Sequence, residues 1–314
     1  MSSFNLAIKR SCDQVCRTRV KKTQPTRVVP TSVRMLGYAF NLISLFNLDW
    51  ASNKLNELWF TVFKPKPRDW VYSFWNEAER SVEVHLSDKT IPVYLWGRGP
   101  LIVCMHGWAG SGTQFRHLIP SLVKAGYRVA VFDAPAHGFN PERTTHILEF
   151  AQSLLAIEQQ ISPIHTVVAH SFGAMATLTA RYYGLSAENM VFIAPGLDVV
   201  EIFNSYRKSM NLNQSLAEQF RDKVGRKIAE ITHIDKPWEF FQPANLLKYL
   251  SESESGLLVF DHDDEEISLD QFRKIASEWP QCDIHETHSL GHFRLLKDKT
   301  VIRKISEHIA GLKK

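Results

Sequence analysis

The chain has 314 residues, of which 44% are hydrophobic, 22% are charged and 11% are aromatic. This balance is typical of a folded globular protein and excludes a disordered, collagen-like or membrane-embedded chain. The length favours one α/β domain with insertions, and the formal net charge of only +4 does not predict nucleic acid as a partner.

The basic excess lies in residues 1–34, a polar segment without sustained periodicity that we expect to be a mobile arm. Its only acidic residue is Asp13. Its basic residues are Lys9, Arg10, Arg17, Arg19, Lys21, Lys22, Arg27 and Arg34. The chain starts with no apolar run of the kind that a secretory signal contains, so we expect a cytoplasmic location.

The cysteines Cys12, Cys16, Cys104 and Cys282 are too few and too scattered to form a disulfide framework, and we expect reduced thiols. The spacing of Cys12 and Cys16 would allow them to share a helix face, but no second Cys or His pair accompanies them. We therefore predict neither a metal site nor a cofactor.

Residues 35–80 are predicted to form a helical extension. Apolar residues recur at spacings of three and four between Met35 and Phe63, which indicates two amphipathic helices that meet around residues 49–53. The run from Met35 to Leu48 is shorter than the roughly 20 residues of a membrane span. The helices are expected to pack on the rest of the protein; the alternative is a weak contact of residues 1–63 with a membrane surface.

From residue 81 onward, strands and helices alternate, which predicts a mostly parallel sheet with crossover helices. The first two strands, Ser81–Leu86 and Thr90–Trp96, are expected to form an antiparallel hairpin. Four short apolar runs are predicted to be buried parallel strands: Leu101–Met105, Tyr127–Phe132, Thr166–Ala169 and Met190–Ala194. Two later strands are predicted at Leu257–Phe260 and Cys282–Glu286. The predicted helices are Thr113–Ala125, Thr144–Ile161, Phe172–Tyr183 and Val301–Ile309.

The alternation stops after Gly196 and resumes at Leu257. We therefore predict an α/β core of residues 81–196 and 256–314, with a helical cap formed by residues 197–255. Six aromatic and apolar residues of the cap are candidates to line an acyl pocket, although such residues usually only pack the cap. They are Phe203, Tyr206, Met210, Trp238, Phe240 and Phe241.

Ser171 lies where a predicted strand turns into a helix, between the small residues Ala169 and Gly173. The segment Ala-His-Ser-Phe-Gly resembles the nucleophile elbow of the α/β-hydrolase family, with Ala in place of the usual first Gly. The segments His106-Gly107-Trp108 and Asp133-Ala134-Pro135-Ala136-His137-Gly138 are similar to two further motifs of that family. They precede Ser171 in the family's order.

The resemblance covers residues 81 to 314 and implies an α/β-hydrolase fold with Ser171 as nucleophile. It also implies that the backbone N–H groups of Trp108 and Phe172 form the oxyanion hole. His106 and Asp133 then have architectural roles. The motifs together are similar to a branch of bacterial α/β-hydrolases without a firmly assigned substrate.

In this family the acid and the histidine of the triad follow the serine in the order acid, then histidine. The acidic loop that follows Phe260 aligns Asp264 with the acid position; Asp261 stands where Gly is usual. Asp263 is the main alternative, and Asp198 is a lesser one. His292, in the Gly-His turn after the last strand, is the predicted base.

His288 is the alternative base. The predicted activity is hydrolysis of a carboxylic ester or thioester of a small molecule. Two alternatives stay open: hydrolysis of a carbon–carbon bond by the same triad, and a non-catalytic binding protein that keeps the fold. A serine nucleophile disfavours dehalogenase and epoxide-hydrolase chemistry, since both need a carboxylate to form the alkyl-enzyme ester.

Overall fold

The computed structural model describes residues 29–64, 66–250 and 256–312. Most of the predicted mobile arm, including Cys12 and Cys16, lies outside the described residues. The last four residues of that predicted arm belong instead to a helix, which begins at Thr31 directly after Pro30.

Eight strands form one sheet in the order β1-β2-β4-β3-β5-β6-β7-β8. Their bounds are β1 Arg80–His85, β2 Thr90–Trp96, β3 Leu101–Met105, β4 Arg128–Phe132, β5 Ile164–His170, β6 Asn189–Ile193, β7 Gly256–Asp261 and β8 Cys282–Thr287. Strand β2 pairs antiparallel with β1 and with β4, whereas the pairs from β4 to β8 are all parallel. The predicted hairpin and the mostly parallel sheet are thus confirmed.

The central strands are apolar along their whole length because helices cover both faces of a parallel sheet. All five residues of β3 and all six of β7 are buried. Two hydrophobic clusters lie on the two sides of the sheet, one containing Val103 and Phe192 and the other containing Cys104 and Val191. Alternate residues of one strand therefore enter different cores.

Thirteen α-helices and three short 3-10 helices are present in the described residues. The α-helices are α1 Thr31–Ser44, α2 Leu48–Trp59, α3 Asp69–Asn76, α4 Ile119–Lys124, α5 Ile147–Gln160, α6 Phe172–Tyr182, α7 Val199–Ser209, α8 Gln214–Thr232, α9 Pro237–Phe240, α10 Pro243–Leu246, α11 Leu269–Glu278, α12 Gly291–Arg294 and α13 Lys299–Gly311. The 3-10 helices are Gly112–Phe115, Leu247–Tyr249 and Leu295–Lys297.

The predicted helix Thr113–Ala125 is divided in two, a 3-10 helix that ends at Phe115 and α4, which begins at Ile119. Pro120 lies in the first turn of α4, where its missing N–H leaves no helical hydrogen bond unmade. A single helix through this position would lose a backbone hydrogen bond at the proline, so the chain starts a new helix there.

The two N-terminal helices meet at residues 45–47 and not at the predicted residues 49–53. Asn47 is the cap of α2, and its side chain accepts a hydrogen bond from the backbone N–H of Trp50 at 2.9 Å. Asp49 follows in the first turn, where the positive end of the helix dipole favours a carboxylate. These polar residues therefore start a helix where the spacing pattern predicted a break.

Helix α2 packs on the helices inserted between β6 and β7. Leu55 is fully buried, and the Asp49 carboxylate accepts a hydrogen bond from the Lys223 ammonium of α8 at 2.6 Å. The Trp59 ring contacts the rings of Phe203 and Tyr206, with centroids 5.8 and 5.3 Å apart. No helix within the described ranges has the length and apolar character needed to cross a membrane.

Candidate active site

Ser171 lies between β5 and α6 with an unusual backbone conformation, φ 54° and ψ −123°. A positive φ is costly for a residue with a Cβ atom, and such strain is concentrated at functional sites. Three backbone hydrogen bonds maintain it: Ser171 N–H donates to Ile193 O at 3.0 Å, and Ser171 O accepts from Ala174 at 3.0 Å and from Gly196 at 3.1 Å. The strand-to-helix turn therefore sets the direction of the serine side chain.

Two glycines allow the backbone to approach this turn closely. A Cβ atom at Gly173 would lie 2.6 Å from the backbone oxygen of Met105 and 2.7 Å from that of His106. A Cβ atom at Gly107 would lie 2.9 Å from Cβ of Ser171. All three distances are too short for a residue with a Cβ atom, so α6 and the loop after β3 can pack against this turn only with glycine at these positions.

Among the aspartates of the acidic loop, Asp264 is the one that contacts His292. Its Oδ2 atom lies 2.8 Å from Nδ1 of the His292 ring, and both side chains are buried. Oδ1 of Asp264 accepts hydrogen bonds from the backbone N–H groups of Glu266 and Ile267 at 2.8 and 3.0 Å. The carboxylate is therefore fixed by the loop and can fix the imidazole in turn.

Asp261 and Asp263 instead connect the acidic loop to the loop that follows β8. Asp261 is fully buried and accepts hydrogen bonds from the backbone N–H groups of Leu290 and Gly291 at 3.0 and 2.9 Å. These hydrogen bonds lower the pKa of its carboxyl group against the raising effect of burial. Asp263 accepts a hydrogen bond from the N–H of Ser289 at 2.8 Å.

The other two alternatives, His288 and Asp198, have different partners. The His288 ring stacks on that of His262, with centroids 4.3 Å apart. Asp198 is the cap of α7, accepting from the Val200 N–H at 3.0 Å, and its carboxylate lies 3.4 Å from the Lys274 ammonium.

Trp108 and Phe172 lie side by side next to Ser171. Their rings contact edge to face, with centroids 5.5 Å apart. Phe172 is the first residue of α6, so its N–H has no acceptor within the helix and lies at the positive end of the helix dipole. An N–H in this position can stabilise an oxyanion.

The loop of Trp108 is held in place by buried polar side chains. Nδ1 of the His106 ring donates to the Gly107 carbonyl at 2.8 Å, and Nε2 accepts from the Ala134 N–H at 2.9 Å. Asp133 accepts hydrogen bonds at 2.8 Å from the Ser111 hydroxyl and the Gly112 N–H. Burial lowers the pKa of His106 to about 4, which keeps the ring neutral and both hydrogen bonds formed at neutral pH.

His170, which no sequence pattern singled out, is buried in contact with His292. Nε2 of its ring lies 3.0 Å from the backbone oxygen of His292, and the two rings lie 4.7 Å apart. Burial, together with the charge that His292 would carry, lowers the pKa of His170 to about 3. The neutral ring donates from Nε2 to the carbonyl oxygen, and its Nδ1 atom is buried without a hydrogen-bond partner.

A cavity of about 630 Å³ opens over these residues; Ser171, Trp108, Phe172 and His292 all line it. Its apolar wall comes from three parts of the chain that are distant in sequence. They are the N-terminal helices (Val33, Leu36, Leu58, Trp59), the inserted helices (Ile202, Tyr206, Met210, Phe241) and the core (Met175, Ile267, Ile275). Of the six cap residues proposed from the sequence, Tyr206, Met210 and Phe241 line the cavity.

The contribution of the N-terminal helices to the cavity was not predicted. Trp59 lines it and also contacts Phe203, Tyr206 and Phe220 of the inserted helices. Nothing in the spacing of apolar residues distinguishes a helix face that packs from one that lines a cavity. Within the described ranges, no group of three or more His, Cys, Asp or Glu side chains is arranged to hold a metal ion.

Comparison with known proteins gives a consistent assignment of the fold. The family model described as alpha/beta hydrolase fold matches residues 100–288, which is more than half of the chain. An esterase from Pyrococcus furiosus superposes with a TM-score of 0.57 at 16% identity, covering 80% of this chain and 95% of the esterase. A thermophilic esterase from Thermogutta terrifontis superposes with a TM-score of 0.54 at 14% identity, covering 75% of this chain and 100% of that one.

Curated relatives match over shorter stretches. A serine hydrolase-like protein of Danio rerio is 23% identical over 177 residues, 52% of this chain and 52% of that protein. A pimeloyl-[acyl-carrier protein] methyl ester esterase of Methylococcus capsulatus is 36% identical over 84 residues, 27% of this chain and 32% of the esterase. Epoxide hydrolase B of Mycobacterium tuberculosis is 31% identical over 87 residues, 26% of this chain and 24% of that protein. The chain thus spans about half or less of the length of these relatives.

Proposed function

Because the chain belongs to the alpha/beta hydrolase fold family, we propose that it is a serine hydrolase that cleaves carboxylic esters or thioesters through an acyl-enzyme on Ser171. The observation that carries the proposal is the arrangement of three side chains, those of Ser171, His292 and Asp264. A serine in a strained turn and a histidine bound to a buried carboxylate at 2.8 Å line the same cavity. Such a group of residues serves nucleophilic catalysis.

The hydrogen bond between Asp264 and His292 determines the tautomer of the imidazole. A carboxylate can only accept, so Nδ1 carries the proton and Nε2 keeps its lone pair. The free Nε2 takes the proton of the Ser171 hydroxyl as its oxygen attacks the carbonyl carbon. The resulting imidazolium, stabilised by Asp264, then protonates the departing alcohol or thiol.

The carbonyl oxygen becomes negative when Ser171 attacks. The N–H groups of Phe172 and Trp108 bind this oxyanion, and the N-terminus of α6 adds its positive potential. Water then attacks the acyl-enzyme with His292 as the base. The free acid leaves, and the serine hydroxyl is restored.

The cavity wall indicates an apolar acyl group. Trp59, Tyr206, Met210, Phe241 and Ile267 supply apolar surface near the serine. A cavity of this size holds a small molecule. Three of the similar proteins carry the name esterase, which favours an ester over the bond that an epoxide hydrolase opens.

A fluorophosphonate probe tests the nucleophile, because it labels a serine only when the hydroxyl is activated. We expect the wild-type protein to be labelled and Ser171→Ala to remain unlabelled. Ser205→Ala, at a serine that lines the same cavity, serves as the matched control and should label normally. Absence of labelling in the wild-type protein, or labelling that survives Ser171→Ala, would contradict the proposal.

A series of p-nitrophenyl esters tests the substrate class. Hydrolysis should be measurable and should depend on acyl length, since the apolar wall is limited in extent. Equal, negligible rates at every length in a protein that labels with fluorophosphonate would retain the serine nucleophile and reject the ester substrate.

A further inference from the structure

Helix α1 and the turn after it expose a continuous row of large apolar side chains. The row consists of Met35, Tyr38, Leu42, Leu45 and Phe46, which we call the outer face; their exposed fractions run from 51% to 86%. Met35, Tyr38 and Leu42 follow one another at spacings of three and four residues and so lie along one side of the helix, and Leu45 and Phe46 follow in the turn after it. Contiguous exposed apolar surface of this kind marks a site of interaction with a protein or a membrane.

The opposite side of α1 is fixed on the inserted helices. Gly37 and Phe40 are buried, and the side chain of Asn41 donates to the Asn211 carbonyl and accepts from the Asn213 N–H, both at 2.9 Å. The packing of this side determines which residues face outward. The outer face is therefore a defined feature of the folded protein.

The outer face lies beside the opening of the cavity. Leu36 belongs to the same helix, is 44% exposed and lines the cavity. Phe63 and Phe293 are also both exposed and part of the cavity lining. A surface that covered the outer face would thus also approach the entrance above Ser171.

The sequence that leads into α1 is strongly basic. Residues 1–34 contain eight basic residues and one acidic residue, Asp13, and α1 itself contains no acidic residue. The two carboxylates of α2 nearest along the chain, Asp49 and Glu57, lie 2.6 and 2.7 Å from the ammonium groups of Lys223 and Lys54. A negatively charged partner surface would therefore attract the segment of the sequence that leads into α1.

We propose that the outer face docks on an anionic lipid surface. Basic residues concentrate the protein at such a surface, and the apolar side chains then enter the boundary between headgroups and acyl chains. Trp50, near the start of α2, is 45% exposed, and tryptophan is a side chain that prefers this boundary. A second copy is a poorer occupant, because pairing the faces would bring two strongly basic segments together.

Docking would place the cavity entrance against the lipid. An acyl substrate dissolved in the membrane could then reach the apolar wall without passing through water. This consequence rests on the proposed esterase function, whereas docking itself does not. We therefore test docking without a substrate.

Co-sedimentation of the full chain with phospholipid vesicles is the test. We expect binding to vesicles of phosphatidylcholine mixed with phosphatidylglycerol, and little binding to phosphatidylcholine alone. Raising the salt to about 0.5 M should weaken binding, since it screens the basic residues. Ser171→Ala should bind the vesicles as the wild type does. The result of the vesicle test is therefore independent of whether the esterase proposal is correct.

Two double variants test the outer face: Leu42→Glu with Leu45→Glu, and the milder Leu45→Ser with Phe46→Ser. All three residues are exposed, so the fold should be retained, and circular dichroism verifies this. Each pair should weaken binding by about tenfold or more, because buried leucine-sized side chains contribute to binding at that level. The control Ile284→Glu, at an exposed isoleucine of strand β8, should bind normally.

Three outcomes would overturn the proposal. The wild type could fail to bind the anionic vesicles, or the outer-face variants could bind as well as the wild type. Alternatively, light scattering could show a dimer that Leu42→Glu with Leu45→Glu dissociates, in which case a second copy covers the face.

Discussion

The hydrogen bonds of Asp264 distinguish its two oxygens. Oδ1 accepts from two backbone N–H groups of its own loop, and Oδ2 faces Nδ1 of His292. The two backbone hydrogen bonds therefore fix the orientation of the Asp264 carboxylate independently of His292. This asymmetry determines what an asparagine would do at the same position.

Asp264→Asn should lower kcat by about 10³–10⁴-fold with little change in KM. The amide oxygen would replace Oδ1 as acceptor from the loop, so the amide NH₂ would face the imidazole and donate to Nδ1. The proton of His292 would then reside on Nε2, which could no longer take the proton of Ser171. Steady-state kinetics on the best p-nitrophenyl ester measure the loss.

Asp263→Asn is the matched control for this variant. Asp263 accepts one hydrogen bond from the Ser289 N–H, which an asparagine oxygen can also accept, so kcat should stay within about threefold. Equal losses at the two positions, or a retained tenth of the activity in Asp264→Asn, would reject Asp264 as the residue that orients His292.

The resemblance to the family selected Asp264 as the acid, but the residues of the loop alone left Asp263 as an alternative. Asp261, Asp263 and Asp264 lie within four residues, and the choice depends on which of them the loop turns toward His292. Asp261 already accepts hydrogen bonds from the backbone N–H groups of Leu290 and Gly291. His170 had no signal at all, since its burial results from packing against a residue 122 positions away.

At the level of helices and strands, the pattern of apolar residues predicted well which segments are helices and which are strands. It predicted less well where the helices begin and end. The buried strands lie within one or two residues of their predicted bounds because continuous apolar runs require burial on both faces. Helix ends depend on individual polar residues, such as Asn47 and Pro120. Their effect is local, so a pattern averaged over a helix does not detect it.

The packing of α1 on the inserted helices depends on a close backbone approach at Gly37. A Cβ atom there would lie 1.7 Å from the backbone oxygen of Met210. Gly37→Ala should therefore push α1 outward and lower the free energy of unfolding by about 1–3 kcal/mol, as overpacking does. Urea denaturation measures this loss.

The neighbouring exposed position supplies the control for Gly37→Ala. Ala39→Ser, on the same helix but facing solvent, should change the free energy of unfolding by less than about 0.5 kcal/mol. If Gly37→Ala unfolded at the wild-type urea concentration, the contact with Met210 would not be a constraint on α1.

At the scale of the whole molecule, no single segment of the chain forms the cavity. Its wall combines Trp59 of α2, Tyr206 of α7 and Ile267 of the acidic loop. The sequence could predict a helical insertion between β6 and β7, because the strand pattern stops there. It could not predict that the N-terminal helices complete the wall, since that depends on how α2 packs on α8.

Buried histidines around the site link the stability of the whole protein to pH. Burial lowers the pKa of His106 to about 4 and the pKa values of His137 and His170 to about 3. In the unfolded chain these groups titrate near pH ~6.5. Below that pH the unfolded chain binds protons that the folded protein does not, so stability present above pH ~6.5 is lost as the pH falls toward 4. Burial raises the pKa of Asp133, which acts in the opposite sense.

The free energy of unfolding should therefore be lower at pH 5 than at pH 7, by about 1–2 kcal/mol for each buried histidine before the opposing effect of Asp133. Urea denaturation at both pH values measures the difference. His170→Asn removes one of these groups and should reduce the difference by about that amount, whereas His288→Asn, at an exposed position, should leave it unchanged. Equal stability of the wild type at the two pH values would mean that the folded protein accepts these protons without loss, and the histidines would not be held neutral by burial.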